Sequence, residues 1–382
     1  MRRILNLVVL WCVTAATAGT AAAQIGKAVA VSAGSDEDHA LAAIYAAPDG
    51  PDKVALIDKF MADYGKGDFE LLGDQLYMQT YLAQKNYPKV FEYGQKVLAL
   101  DPEDFQAVST MARAAVETND TEKLYSAGEK VPTIIASYKA KPAPEGMSAD
   151  QWKATQENAI SSVQGEIGYI QYSMIQAAYK TQDNAARAAL LERYVAAYPD
   201  SSYTEGARDQ IPIAYQQAQN APKMLETAQK ALDADPNDVS MLILLADYWC
   251  DDRQQLDKAG ADAQKALDIL QQAKKPDNVS DDDWQKQVSL EKGIAYTSLG
   301  EVDVNKGRNA AAIDAFKQAK PLLKGNDYYY GENLYRLGFT LAKMQRIPEA
   351  RVVLSEAVTV NSPYKARAKE TLDKISGGHA HS

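Results

Sequence analysis

Proton-transfer catalysis needs a histidine or a tuned carboxylate held beside a substrate, and the histidines of this chain are poorly placed for that work. There are three: His39 near the amino-terminal end, and His379 and His381 in a closing Gly-Gly-His-Ala-His run. Two imidazoles on a loose tail make a weak metal site, because nothing fixes the geometry of the ligands. The acids fall in runs, Asp251-Asp252 and Asp281-Asp282-Asp283, which suit solvated helix starts. The alternating oxygen ligands and central Gly of a calcium loop are missing, as is a Gly-rich phosphate cradle. No catalytic residue, metal or cofactor is therefore expected, and the chain reads as non-enzymatic. Tyrosine is the unusual residue, 22 against six phenylalanines. A phenol suits a position between helices with its hydroxyl at the surface, and the same amphipathic character suits contact with a peptide.

The amino-terminal end has the layout of a cleavable signal peptide. Arg2 and Arg3 precede an apolar stretch at 4–13, and Ala21-Ala22-Ala23 offers small residues before Gln24, so residues 1–23 are expected to leave. The apolar stretch is too short for a stable membrane anchor. Its removal takes two of the 41 basic residues and none of the 51 acids, leaving a charge of −12. That balance disfavours nucleic acid and anionic lipid as ligands. Cys12 leaves as well, so the mature chain keeps Cys250 alone and has no intramolecular disulfide. Cys250 reads either as an inert small apolar residue or as a reactive thiol.

The elements that would position these residues are written most plainly at 293–363. Leu299-Gly300, Ala312, Phe316 and Ala319 recur as Leu337-Gly338, Ala350, Leu354 and Ala357, each 38 residues on. A fixed offset over five positions marks an internal repeat. A second unit at 71–102 carries Tyr77, Tyr81, Tyr87, Val90, Val97 and Leu100 and closes on Asp101-Pro102; stretches at 105–131, 205–236 and 239–270 continue the pattern. Residues 138–146 interrupt it. A helix then starts at Ser148, where Gln151 completes a capping box, and Ser280 opens another such start. Trp152 and Trp284 lie 132 residues apart, and 56–64 echoes 190–198 at 134, by duplication of a multi-repeat block or by convergence. Pro212, inside a predicted helix, should shorten or kink it.

The Leu-Gly, small, large, small spacing resembles the tetratricopeptide repeat. The run Tyr198-Pro199-Asp200-Ser201 resembles the repeats of exported bacterial envelope proteins. The resemblance implies an all-α fold, a tetratricopeptide-type α-solenoid in which antiparallel helix pairs stack as a right-handed superhelix over 37–375 and a terminal capping helix closes the stack. Residues 24–36 then read as a flexible leader and 376–382 as a disordered tail. It also implies a concave groove lined by the first helix of each pair. Carried over by repeat position, Gln75, Gln79, Arg113, Asp209, Gln216, Asp247, Asp251, Tyr335, Phe339 and Lys343 face that groove. Some members of this family clamp a partner's terminal carboxylate with cations, but here Arg113 stands among acids and amides. The expected partner is another protein or peptide with a neutral to basic segment. The implied role is a periplasmic or secreted interaction scaffold, with an accessory docking subunit of an envelope enzyme or assembly complex as the alternative. Cleavage after Ala23 is expected to leave a protein that starts at Gln24; intact mass of the exported protein checks it, and a species that retains Met1 or carries lipid on Cys12 would contradict it.

Overall fold

The computed structural model describes residues 25–277 and 279–377, which form helices and no strand. The expected signal peptide and residues 378–382 of the expected tail, with His379 and His381, lie outside the described residues. The chain divides into two compact units, at Ala207 and Arg208. The first holds α1 (Asp36–Ala46), α2 (Pro51–Tyr64), α3 (Asp68–Ala83), α4 (Tyr87–Leu100), α5 (Phe105–Glu117), α6 (Thr121–Gly128), α7 (Lys130–Ala140), α8 (Ala149–Lys180) and α9 (Asn184–Ala197). After α10 (Thr204–Gln217), the second holds α11 (Ala221–Ala234), α12 (Val239–Asp251), α13 (Leu256–Gln272), α14 (Asp281–Asn305), α15 (Asn309–Leu322), α16 (Asp327–Lys343), α17 (Ile347–Thr359) and α18 (Lys365–Gly377).

Six helix pairs among the described residues close with one and the same turn. Each has a left-handed residue where the first helix ends, Lys85, Asn119, Gln219, Arg253, Gly307 and Gln345, with φ between 53° and 74°, and the α12–α13 turn adds a second at Gln255. The next amide then donates to the carbonyl five residues back, Asn86 to Tyr81, Asp120 to Ala115, Asn220 to Tyr215, Gln254 to Trp249, Arg308 to Asp303 and Arg346 to Leu341, at 2.8–3.1 Å. This Schellman closure satisfies orphan carbonyls and reverses the chain at once, so the second helix must run antiparallel to the first. The left-handed residues 85 and 119 are 34 apart, as are 219 and 253, which is the tetratricopeptide period. Each unit is thus a tetratricopeptide-type α-solenoid segment.

Several helix starts are fixed by side chains. Asp104, Asp120 and Asp238 each accept an amide of their own first turn, and Ser280 does the same for α14. The capping box expected at Ser148 is formed in both directions. Pro212 lies inside α10 without cutting it short: a proline lacks one amide and costs the helix one bond there, and α10 runs on to Gln217.

The 38-residue repeat marks where α14 meets α15 and α16 meets α17. A Cβ on Gly300 would lie 2.5 Å from the Phe316 ring, and one on Gly338 would lie 2.6 Å from Leu354. Ala312, Phe316, Ala350 and Leu354 are buried completely. A buried amide stitches adjacent pairs together: Asn333 on α16 donates to the Phe316 carbonyl at 3.0 Å and accepts from Thr297 on α14 at 3.2 Å. Ala368 of α18 packs on Leu334 and Leu354.

The segment expected to be a flexible leader is laid down from Ile25 onward. Ile25 is buried, its carbonyl accepts from the Phe105 amide at 3.2 Å, and the Lys27 amide donates to Asp101 at 2.5 Å. Val29 and Val31 turn inward onto the cores around α3 while Ala28 and Ala30 face out. That is a period of two, and it was hidden from a search for helical spacing. Gly338→Leu is expected to lower stability by about 1–3 kcal/mol or more by overpacking, with partial recovery when Leu354→Ala opens the facing space; thermal and denaturant melts check it, and an unchanged midpoint in Gly338→Leu would show that the helices do not meet there.

Candidate interaction surface

In the second unit three helices and the α17–α18 turn converge on one guanidinium. Asp247 and Asp251 share a face of α12, four residues apart, as Glu332 and Arg336 share one of α16. Arg336 lies 2.7 Å from Asp251, 2.5 Å from Glu301 on α14 and 2.7 Å from Glu332. Tyr364, just before α18, donates to Glu332 at 2.7 Å, and its ring lies 5.9 Å from the guanidinium. Glu301 and Glu332 are buried, Asp247 is half-buried and Asp251 is open to solvent. Three carboxylates therefore pair with one cation, and Asp247 lies close enough to feel them all.

Burial and that imbalance together set the electrostatics. Burial above all, then repulsion from Glu332 and Asp251, pushes the Asp247 carboxyl up to about 8, against the pull of Arg336. Burial likewise holds Glu301 well above the usual carboxylate range, with Glu332 and Asp247 adding to it and Arg336 opposing. Burial works against the charge on Arg336, yet Glu301, Glu332 and Asp251 together raise its pKa. Beside them Cys250 is buried, its thiol donates to the Ser298 carbonyl at 3.4 Å, and burial raises its pKa, so it is packed as an unreactive side chain. Asp251, Glu301 and Glu332 have carboxylate oxygens within 4.8 Å of one another, the spacing of a cation site. Arg336 already supplies the positive charge there.

An aromatic shelf adjoins this cluster. Tyr335 stacks on Tyr364 at 5.9 Å and meets Phe339 at 6.1 Å, and Tyr328 meets Tyr364 edge-on at 6.0 Å. Tyr328 and Phe339 are nearly half exposed, at 47% and 46%. Large rings left that open beside unbalanced carboxylates can hold a cationic or amphipathic group by contact with their faces.

The residues carried over by repeat position are divided between the units. Asp247, Asp251, Tyr335 and Phe339 come together around Arg336 or beside it. In the same unit Lys343 and Gln216 are exposed and Asp209 is half-buried. In the first unit Gln75 is buried rather than open, donating to the α5 cap Asp104 at 2.5 Å, and Gln79 is half-buried. Arg113 is exposed but engaged by Glu166, with its guanidinium 5.1 Å from the Tyr169 ring. Arg336, Glu301, Glu332 and Tyr364 were missed. The i, i+4 acid–base spacing of Glu332 and Arg336 was visible, but it is also the spacing of an ordinary solvated helix pair.

No protein-family profile matches this chain, and no curated protein matches it by sequence. Solved structures do resemble it at low level. PilF of Pseudomonas aeruginosa is 13% identical with a TM-score of 0.39, over 55% of this chain and 92% of that one. The apo quorum sensor NprR of B. thuringiensis is 14% identical with a TM-score of 0.41, over 82% and 83%. The TPR domain of P58(IPK) is 11% identical with a TM-score of 0.33, over 90% and 98%. The fold class rests on the repeated turn and the helix contacts, and it is an all-α tetratricopeptide-type solenoid. Among the described residues no helix is long and apolar enough to cross a membrane.

Because Asp247 has a folded pKa raised from the ordinary 3.8 to about 8, the folded state binds a proton that the unfolded state has lost between those values. Its stabilising proton is fully retained below that window and lost as pH rises through it, and Glu301 acts in the same direction. The melting temperature is therefore expected to fall as pH rises from about 5 to 9, and to fall less in Asp247→Asn; equal slopes in variant and wild type would contradict the assignment.

Proposed function

We propose that this protein is an exported, non-enzymatic interaction scaffold of a bacterial cell envelope, and that its second unit takes a Lys- or Arg-bearing segment of a partner protein. The carrying observation is the excess of carboxylate around Arg336: Asp251, Glu301 and Glu332 pair with a single guanidinium, Asp247 lies nearby on α12, and the open rings of Tyr328 and Phe339 adjoin them. A cation arriving there meets Asp251, which is open to solvent, and Asp247 once that carboxyl gives up its proton. The aromatic shelf supplies apolar contact for the stem of the same side chain. A terminal carboxylate would meet repulsion from the same acids. Export is supported by the Arg2-Arg3, apolar and Ala-Ala-Ala sequence of residues 1–23 and the envelope setting by the Tyr198-Pro199-Asp200-Ser201 run. With that segment removed, residues 37–375 act as the scaffold.

Asp247 gives this reading a signature. A carboxyl that holds its proton near neutrality must release it to pair with a cation, so binding is linked to pH. A capped peptide with Lys and Arg among neutral residues is expected to bind more tightly as pH rises from about 6 to 9, and less tightly with added salt. Asp247→Asn with Asp251→Asn is expected to weaken binding by about 3–10-fold and to flatten the pH dependence. Isothermal titration against the basic peptide, an acidic counterpart and amidated forms of both decides it; an acidic peptide that binds as well, or binding lost on amidation alone, would overturn the reading.

A further inference from the structure

We infer that the cation taken by the second unit is an arginine rather than a lysine, and that Tyr328 makes the choice by receiving the flat face of the guanidinium while Asp247 and Asp251 receive its N–H groups. The inference rests on the basic segment proposed above and names the residue of it that enters.

The ring and the acids lie together. Tyr328, Glu332, Tyr335 and Phe339 follow one another at steps of four, three and four residues along α16, which puts them on one face of that helix. Asp247 and Asp251 share a face of α12, and the contact of Asp251 with Arg336 at 2.7 Å joins the two helices there. Asp247 and Asp251 are also close enough to Tyr328 to add, after burial and Glu332, to the rise in its phenol pKa. Nearly half of Tyr328 nonetheless stays open to solvent.

The protein already holds its own arginines in this way. The guanidiniums of Arg336 and Arg367 each lie 5.9 Å from the Tyr364 ring, and Arg336 pairs at the same time with Asp251, Glu301 and Glu332. Among the described residues of this unit, both cations that lie over a ring are arginines. Tyr364 is further occupied by stacking on Tyr335, whereas Tyr328 touches Tyr329 and Tyr364 edge-on and has no cation of the described residues over it. Tyr328 is therefore the ring left for a guanidinium from outside.

The chemistry of the two cations separates them. A guanidinium gives paired N–H groups to carboxylates from its edge and leaves its faces for a ring, while an ammonium is a compact point charge that holds its water strongly. Water is scarce at Asp247, since burial is the first cause of its raised pKa. A lysine brought there gives up more hydration and is pushed toward its neutral form, but an arginine keeps its charge.

Isothermal titration tests this with the full chain after signal removal and two end-capped peptides, GSRSG and GSKSG, at about pH 9, where Asp247 has released its proton. The arginine peptide is expected to bind about 3–10-fold more tightly than the lysine peptide. Tyr328→Leu is expected to bring that ratio close to one and Tyr328→Phe to keep it, with melting followed for both; the wild-type comparison decides whatever the stability of the variants. Equal affinities in wild type, or an unchanged ratio in a folded Tyr328→Leu, overturn the inference. The acidic site itself survives that result if both peptides still bind more weakly to Asp247→Asn with Asp251→Asn. Binding of neither peptide, or binding indifferent to those two acids, overturns the site and the inference together.

Discussion

The left-handed residue that closes six of the helix pairs is the constraint on which most of the fold depends. It is one backbone angle, and it converts a linear run of helices into antiparallel pairs. Lys85, Asn119, Gln219, Arg253 and Gln345 accept a conformation that L-residues resist, and only Gly307 does so freely. The penalty is offset at once, because the reversed chain satisfies carbonyls that would otherwise be orphaned and delivers the second helix onto the first. Once pairing is set, close approach at Gly300 and Gly338 follows, and so does the face that each first helix turns toward its neighbours.

The cluster around Arg336 shows what that arrangement makes possible. α12, α14 and α16 are first helices of successive pairs, so side chains far apart in sequence are brought to one guanidinium. Arg336 and Asp251 are separated by 85 positions and lie 2.7 Å apart. Taking Glu301 and Glu332 out of water is unfavourable, and a single arginine with five fixed donors is the side chain best able to compensate several carboxylates. The compensation is incomplete, and the raised pKa of Asp247, due first to burial, also carries the repulsion of Glu332 and Asp251 that Arg336 leaves unbalanced. The same imbalance that burdens the fold gives the surface its chemistry.

The first unit solves a different problem. A short extended segment takes the Phe105 amide at the start of α5 and sets Lys27 against Asp101 and against Asp68 at the start of α3. Asp104 caps α5 through the Ala107 amide while also accepting from Gln75, so a residue placed in the groove by repeat position is instead drawn into the helix junction. Capping and burial compete for the same side chains there, and capping wins because an unsatisfied buried amide costs more than a polar side chain gains at the surface.

Local physics written in the chain was enough to establish the all-α class, the helix starts at Ser148 and Ser280 and the 38-residue register of 299–357. Each of these depends on neighbours a turn or two away: Ser148 with Gln151, Leu-Gly with the small and large residues that follow it. The charge excess was legible for the same reason, being a sum over residue types. What the tertiary structure alone decided are the meetings between distant positions. Arg336 with Asp251 and Glu301, Tyr364 with Glu332 and Tyr335, and Ile25 with Phe105 leave no periodic trace, since nothing in the spacing of one helix states which helix will lie beside it. The left-handed turns were hidden too, because five of the six use Lys, Asn, Gln or Arg, residues common anywhere on a helix, and only the packed pair makes that angle the favourable one.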